Sequence, residues 1–177
     1  MSTPLNLAER IRSVPDFPIP GILFRDITPL LGDPAALKQA VEEMSEPWMG
    51  KGIQKVAAME ARGFMFGAAM AIRLGAGFVP VRKAGKLPWK TNQVEYTLEY
   101  RADILHIHQD AIQPGESVLV VDDVIATGGT AGAVVQLVEA LGGRVAGAQF
   151  LIELAGLEGR KLLNGYQVNS VITFEGD

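Results

Sequence analysis

The segment at residues 118–130 constrains the fold more than any other part of the chain. It begins with an uninterrupted apolar run at residues 118–121, the pattern of a strand that is buried on both faces of a parallel sheet. Two carboxylates follow, Asp122 and Asp123, and a loop with adjacent glycines then opens a helical pattern at residues 130–141. Ligands of open α/β folds bind at the carboxyl ends of such strands. The segment therefore predicts a strand–loop–helix turn with a binding site at its loop.

The rest of the chain repeats this alternation of strand and helix. The apolar runs that predict strands lie at residues 56–59, 78–81, 118–121, 145–154 and 168–174. The helical patterns lie at residues 35–44, 63–74 and 130–141. Strands that alternate with helices predict an α/β fold whose central, mainly parallel sheet has about five strands and is flanked by helices.

Two further features modify this single-domain architecture. Residues 94–98 and 104–108 alternate between apolar and polar side chains, which predicts a β-hairpin within a flap over about residues 82–108. Three prolines and a glycine at residues 15–21 predict an extended connector without regular structure. We therefore expect residues 1–34 to form a small N-terminal hood and residues 35–177 to form the core of the domain.

Composition excludes several classes of protein. The 177 residues are 48% hydrophobic, enough for a sizeable core, and the absence of cysteine excludes disulfides, thiolate metal sites and cysteine nucleophiles. A net charge of −4 disfavours binding to nucleic acid, which normally requires a basic surface. We see neither a signal peptide nor the roughly 20 apolar residues that span a bilayer, and we expect a soluble, cytoplasmic protein that does not bind membranes.

The loop after the two aspartates is suited to an anion. Its backbone N–H groups lie at the start of a helix, where the helix dipole favours negative charge, and Thr127 and Thr130 add hydroxyl donors. The carboxylates suit hydroxyl groups or a hydrated cation, and a sugar phosphate offers both kinds of group. The segment lacks the patterns of a Walker loop and of a dinucleotide-binding loop. The alternative is a strand end with solvated acids and a glycine turn.

Residues 122–130 resemble the signature of the type I phosphoribosyltransferases, which bind phosphoribosyl pyrophosphate. Three other segments are similar to motifs of that family and occur in the same order: residues 20–26 to its base-binding segment, 60–64 to its pyrophosphate loop, and 82–88 with 98–100 to its mobile flap. The resemblance is to the members that act on adenine. It implies transfer of phosphoribose to adenine, giving AMP and pyrophosphate in purine salvage, with Mg²⁺ as cofactor and a homodimer as the assembly.

The resemblance also implies roles for individual residues. The 5′-phosphate would bind to Ala126, Thr127, Gly128, Gly129 and Thr130. Asp122 and Asp123 would lie near the ribose hydroxyls, stabilise the positive charge that builds on the ribose, and contact Mg²⁺ through water. The leaving pyrophosphate would bind to Arg62, Arg82, Lys83 and Lys86. In this family such cations also reach the site of the neighbouring subunit.

The base and its proton are assigned to two other segments. By the same resemblance, Phe24 would stack on adenine, Leu157 would cover its other face, and the backbone at Leu23 and Arg25 would read its edge. Glu99 is the candidate acid–base group for the proton that adenine loses, and Tyr100 would shield the site from water. The pattern of residues by itself also allows simpler interpretations. Glu99 and Lys86 could be solvated surface residues, and Phe24 and Leu157 could be core residues.

The sequence also bears on three other possible functions: a metal site, transfer to another base, and ligand sensing. His106 and His108 alternate on one strand, but a third ligand is not evident nearby, so a metal site there is disfavoured. Transfer to another base, whether hypoxanthine, guanine, xanthine or a pyrimidine, stays open, although the Phe24 segment favours adenine. A ligand-sensing regulator with this fold is the second alternative, and such a protein is expected to carry a DNA-binding domain or a basic face.

Overall fold

The computed structural model describes residues 4–98 and 101–176. The strands are β1 (Arg12–Pro15), β2 (Leu23–Asp26), β3 (Lys55–Met59), β4 (Gly77–Lys83), β5 (Thr91–Leu98), β6 (Arg101–His108), β7 (Ser117–Ile125), β8 (Arg144–Leu154) and β9 (Val168–Phe174). The α-helices are α1 (Thr28–Gly32), α2 (Pro34–Ser45), α3 (Arg62–Leu74) and α4 (Gly129–Ala140). Short 3-10 helices lie at Leu7–Arg10, Glu46–Trp48, Ala155–Leu157 and Gly159–Leu163.

The central sheet confirms the expected α/β class and extends it. Its strand order is β5-β6-β4-β3-β7-β8-β9, and the five strands from β4 to β9 in this order are parallel. β5 and β6 form the expected hairpin, and β6 adds antiparallel to β4 where Arg82 and Lys83 pair with His106 and Leu105. The flap therefore continues the main sheet. The sequence did not predict this junction, because hydrophobic alternation does not specify which edge a hairpin joins.

The core lies on both faces of the sheet, which explains the uninterrupted apolar run in β7. Leu119 and Val121 pack on one face with side chains of α2 and α3. Val118 and Val120 pack on the other face with side chains of α4 and β6. Each such side chain, once fully buried, stabilises the fold by about 1.5–3 kcal/mol. A central strand with two covered faces cannot alternate between apolar and polar residues.

Local signals determine where the main helices begin and end. The Asp33 side chain accepts hydrogen bonds from the N–H groups of Ala35 and Ala36, and Pro34 occupies the first turn of α2. α3 ends at Gly75, which adopts the left-handed conformation that favours glycine. Among the described residues, no helix is long and apolar enough to cross a bilayer.

The N-terminal segment carries the small second sheet. β1 and β2 pair antiparallel, with Arg12 opposite Asp26 and Pro15 opposite Leu23. Leu7 and Ile11 are buried in the same hydrophobic cluster as the side chains of α2 and α3. This contact holds the two-stranded sheet, with residues 23–25, against the main body of the protein.

Candidate active site

A cavity of about 280 Å³ opens at the carboxyl ends of β3 and β7. The end of β3 and the turn into α3 contribute residues 59–62, and the end of β7, its loop and the start of α4 contribute residues 122–131. Lys83, Tyr96 and Asp103 approach from β4 and the flap hairpin. Neighbouring parallel strands end at the same edge, so segments that are far apart in the chain meet here.

The loop at residues 126–128 has the geometry of an anion site. Gly128 adopts φ +84° at the start of α4, a left-handed conformation that costs other residues energy. No side chain of the described residues caps this helix. The first N–H groups of a helix lack partners within the helix. These donors, together with the helix dipole, suit a phosphate bound in the cavity.

The two aspartates lie inside β7, since the strand continues to Ile125 instead of ending at the acids. An Asp122 carboxylate oxygen accepts the backbone N–H of Asp123 at 2.9 Å. Asp123 is only 3% exposed, and its Oδ2 lies 3.0 Å from Nε of Arg62. That contact is an ion pair, because no group of the described residues donates a well-aligned hydrogen bond to this oxygen.

The surroundings shift the pKa of both carboxyls upward. Burial raises the pKa of Asp122 well above its usual range, and the neighbouring charge of Asp123 raises it further. Burial also raises the pKa of Asp123, while the Arg62 guanidinium opposes this shift. Two adjacent carboxylates in a closed site cost folding energy. Such an arrangement is typical of a functional site.

Gly63 allows the first turn of α3 to approach β7. A side-chain carbon on Gly63 would lie 2.6 Å from Oδ1 of Asp122 and 3.3 Å from its Cα. Gly63 was part of the pyrophosphate-loop resemblance but received no role. The signal was its position in the strand-to-helix turn, directly after Arg62. The peptide bond between Glu60 and Ala61 in this turn is cis.

Three of the four predicted pyrophosphate cations are paired with acids. Arg62 pairs with Asp123, Arg82 Nη2 lies 2.8 Å from Glu60 Oε2, and Lys83 Nζ lies 2.8 Å from Asp103 Oδ2. The cavity lining includes Arg62 and Lys83. Arg82 is not among the lining residues, and besides its pair with Glu60 it donates to the Lys86 carbonyl.

Sequence reasoning missed the acids that orient these cations. Glu60 accepts hydrogen bonds from the Arg82 side chain and, at 2.6 Å, from the backbone N–H of Lys83. Burial opposes ionisation, but these donors hold the pKa of Glu60 below its usual range. Tyr96 and Asp103, opposite each other in the hairpin, were also missed. Their signal was weak, because only the edge that the hairpin joins brings them to the cavity.

The predicted base platform lies beside the carboxylates. The Phe24 ring meets the Phe17 ring edge-on at 5.1 Å, and the Arg62 guanidinium carbon lies 5.0 Å from the Phe24 centroid. A small cavity of about 240 Å³ is lined by Val14, Phe17, Phe24 and Asp26. Arg62 thus contacts both Phe24 and Asp123, and connects the predicted base and ribose subsites.

The other predicted base contacts lie further out. The Arg25 guanidinium stacks on Phe174 at 4.0 Å and donates to Ser13 Oγ at 2.7 Å. Leu157 is 40% exposed in the 3-10 helix Ala155–Leu157. Among the described residues that line the two cavities, Leu23, Arg25 and Leu157 do not occur. Glu99 and Tyr100, the predicted acid–base and shielding residues, lie outside the described residues.

Fold and site together define a class of protein. A parallel sheet presents an anion-binding loop, two adjacent carboxylates and the cations Arg62 and Lys83 at one edge. This combination suits a ligand with phosphate groups at both ends of a sugar. It is the arrangement expected of an enzyme that handles a phosphorylated ribose.

Comparison with known proteins agrees with this class. The phosphoribosyl transferase domain family matches residues 34–175. An adenine phosphoribosyltransferase from a Thermotoga species is 56% identical over 170 residues, which cover 96% of this chain and 100% of that protein. The adenine phosphoribosyltransferase of Rhodothermus marinus, a crystal structure, has a TM-score of 0.91 at 54% identity, with 95% of this chain and 96% of that chain covered.

A more distant structure shows the same fold. The adenine phosphoribosyltransferase of Saccharomyces cerevisiae, crystallised with adenine and an imino-altritol bisphosphate, has a TM-score of 0.88 at 39% identity, with 93% of this chain and 96% of that chain covered. The chain therefore belongs to the phosphoribosyltransferase family and, within it, to the adenine phosphoribosyltransferases. The resemblance read from the motifs is confirmed.

Proposed function

We propose that this protein transfers the 5-phosphoribosyl group from phosphoribosyl pyrophosphate to adenine, giving AMP and pyrophosphate in purine salvage. One observation carries the proposal: the anion loop at residues 126–130 and the adjacent carboxylates of Asp122 and Asp123 line one cavity. The relatives named for this activity support the choice of base. The yeast enzyme crystallised with adenine supports it further.

The reaction exchanges one bond at the anomeric carbon of ribose. The imidazole-edge nitrogen of adenine forms a bond to C1′, the bond from C1′ to the pyrophosphate oxygen breaks, and its electron pair leaves with pyrophosphate. The adenine nitrogen gives up its proton to a base. Positive charge develops on the ribose along this path, and a nearby carboxylate stabilises it more than it stabilises the ground state. Asp122 and Asp123 are the groups proposed for that role.

The carboxylates of the cavity, Asp122 and Asp123, are suited to Mg²⁺ that would be bound mainly by the substrate. Among the described residues, no cluster of three or more His, Asp or Glu side chains could hold a metal ion. The buried Oδ2 of Asp123 pairs with Arg62 but accepts no well-aligned hydrogen bond from those residues, so it would be suited to accept from a metal-bound water once Arg62 turns to the substrate. When bound with the pyrophosphate, Mg²⁺ neutralises the charge of the leaving group.

We propose that Arg62, Lys83 and Lys86 bind the pyrophosphate, and that Arg82, which the family motif also includes, supports them indirectly. Arg62 and Lys83 would exchange their carboxylate partners, Asp123 and Asp103, for phosphate oxygens when the substrate enters. Arg82 is held by Glu60 and would act through the position of the flap. The phosphate oxygens would replace the carboxylates as partners of these cations, so no cation would be left unpaired. Asp123 would then be free to face the ribose.

Adenine is proposed to stack on Phe24, with Leu157 over its other face and the backbone of Leu23 and Arg25 at its edge. The N-terminal hood, residues 1–34, would thus supply the base subsite and residues 35–177 the sugar and phosphate subsites. Phe24 already packs against Phe17 in an edge-to-face pair, which fixes the position of its ring.

The test is a turnover assay on the full chain with phosphoribosyl pyrophosphate. We expect AMP from adenine in the presence of Mg²⁺, loss of activity after chelation, and no product from hypoxanthine or guanine. Equal turnover with the other purines would contradict the choice of base. Saturable binding of phosphoribosyl pyrophosphate without turnover of any base would indicate a ligand-sensing regulator instead.

Glu99→Gln tests the proposed acid–base group. Loss of the carboxylate removes the acceptor for the adenine proton, so we expect kcat to fall by about 10²- to 10³-fold. Binding of ribose 5-phosphate should not change. Glu95→Gln is the matched control, since Glu95 is an exposed carboxylate on the same hairpin. Wild-type activity in Glu99→Gln would remove Glu99 from the mechanism.

We also propose a homodimer, formed through the outer face of α3. Met65 is 42% exposed and Ile72 is 84% exposed, and residues seven apart lie on one face of a helix. Exposed apolar side chains in a row favour burial against a second copy.

Ile72→Glu should therefore shift the protein from dimer to monomer at micromolar concentration, as measured by light scattering after size exclusion. Leu162→Glu, at an exposed leucine outside α3, is the control and should leave the mass unchanged. Dissociation by the control alone would place the interface elsewhere.

A further inference from the structure

The phosphate loop rests directly on the main chain of a distant segment. A side-chain carbon on Gly159 would overlap the carbonyl oxygen of Ala126 and lie 2.9 Å from the backbone nitrogen of Gly128. A side-chain carbon on Gly128 would overlap the carbonyl oxygen of Gly159. The two glycines therefore bring backbone against backbone, with no side chain between them. Any shift of Gly159 is transmitted to the loop.

The residue after Gly159 is anchored by a fork of hydrogen bonds. Arg160 donates from Nε and Nη2 to the two oxygens of Glu153, the second at 2.6 Å. Its Nη2 also donates to Ser170 Oγ at 3.1 Å, and its Nη1 donates to the Val168 carbonyl. Bidentate pairing of arginine with a carboxylate holds both groups in one geometry.

The carboxylate end of this anchor belongs to the sheet. Glu153 is 8% exposed and lies in β8, where it is the register partner of Ile125, the residue before the phosphate loop. Ser170 of β9 donates a further hydrogen bond to Glu153 at 2.6 Å. The Arg160–Glu153 ion pair and the phosphate loop are thus both attached to the same pair of neighbouring strands, β7 and β8.

The backbone before Gly159 needs such an anchor. Glu158 adopts φ +54°, a left-handed conformation that is uncommon for residues other than glycine. It joins the 3-10 helices Ala155–Leu157 and Gly159–Leu163. A non-glycine residue in this region costs about 1–2 kcal/mol and persists only where its surroundings hold it.

We propose that Arg160 is a positioning residue for the 5′-phosphate: its ion pair with Glu153 holds Gly159 against Ala126 and Gly128, and so fixes the N–H groups of the loop. The inference rests on the proposed role of this loop in binding the phosphate. Arg160 touches no substrate in this mechanism and acts through the backbone of Gly159. Loss of the fork leaves the loop free to shift, and small displacements of a preorganised site lower its affinity strongly.

The test compares Arg160→Lys with wild type in the full-length chain. Lysine keeps the positive charge but cannot make the bidentate contact. Binding of ribose 5-phosphate is measured by calorimetry, at a temperature where both proteins are folded. We expect the dissociation constant to rise about tenfold, and the KM for phosphoribosyl pyrophosphate to rise with it. Lys161→Ala is the matched control, because Lys161 pairs only with exposed Glu158 among the described residues.

Glu153→Gln is the second variant, in case Arg160→Lys fails to fold. It keeps the size of the side chain and removes the charge that holds the guanidinium. Weaker binding of ribose 5-phosphate in every variant of the two that folds, with unchanged binding in Lys161→Ala, supports the inference. Wild-type affinity in a folded Arg160→Lys or Glu153→Gln protein overturns it, as does a fall in kcat alone. A wild-type protein that does not bind ribose 5-phosphate overturns the proposed function, and the inference with it.

Discussion

Asp122→Asn should lower kcat by about 10²- to 10³-fold and, at the same time, raise the melting temperature at neutral pH. The carboxylate is expected to stabilise charge on the ribose, which a neutral amide does not do. Burial and the charge of Asp123 raise the pKa of Asp122 in the folded state. The ionised form therefore opposes folding, and asparagine removes this cost. Oδ1 of asparagine can still accept the backbone N–H of Asp123.

The pH dependence follows from the direction of the shift. An acid whose pKa is raised on folding binds its proton more tightly in the folded state. The contribution of Asp122 to the free energy of unfolding is then highest below its unfolded pKa, and it falls as pH rises through its folded pKa. The excess stability of Asp122→Asn should be largest at neutral pH and shrink in acid.

Melting curves between pH 4 and pH 8, in the absence of Mg²⁺, measure the effect. Asp110→Asn, at an exposed aspartate, is the control for loss of one negative charge. A lower melting temperature for Asp122→Asn at neutral pH would contradict the electrostatic cost. Full turnover would contradict its part in the reaction.

Gly63→Ala should damage the site through a single added methyl group. The added carbon would lie 2.6 Å from the Asp122 carboxylate and 3.3 Å from its Cα, so the acid or the strand must move. We expect kcat/KM to fall by about 10²-fold, since a displacement of about 1 Å costs this much in a positioned site. Overpacking should also lower stability by about 1–3 kcal/mol.

Gly67→Ala separates the two effects. Gly67 lies one turn further along α3, where an added carbon would lie 2.5 Å from Ala58 Cβ and 3.1 Å from the Phe78 ring. This variant should lose a similar amount of stability while its kcat/KM stays close to that of wild type. Chemical unfolding and steady-state kinetics on both variants measure the difference. Equal kinetic losses would show that the site responds to general damage of α3, not to the contact with Asp122.

The site residues differ in how far local pattern predicted their place. Residues 122–130 meet the cavity together because they are contiguous and end a buried strand. Arg62 lies there because it opens α3 at the same edge. Lys86 is exposed and Arg82 pairs with Glu60, and neither lines the cavity, although both come from the flap segment that resembles the family motif. A motif specifies which side chains are available, and packing specifies which of them face the ligand.

The sequence by itself determined the class of fold, the alternation of strands and helices along the chain from residue 35 onward, the anion loop and the family. These depend on hydrophobic periodicity, helix signals and short motifs, which act over a few neighbouring residues. Only the tertiary structure decided the order of the strands within the sheet, the attachment of the flap to β4, and the contacts between distant residues. Arg82 and Glu60 are 22 residues apart, and Gly159 reaches Gly128 from beyond β8. Such contacts depend on which strands lie side by side, and the periodicity of a strand carries no information about its neighbour.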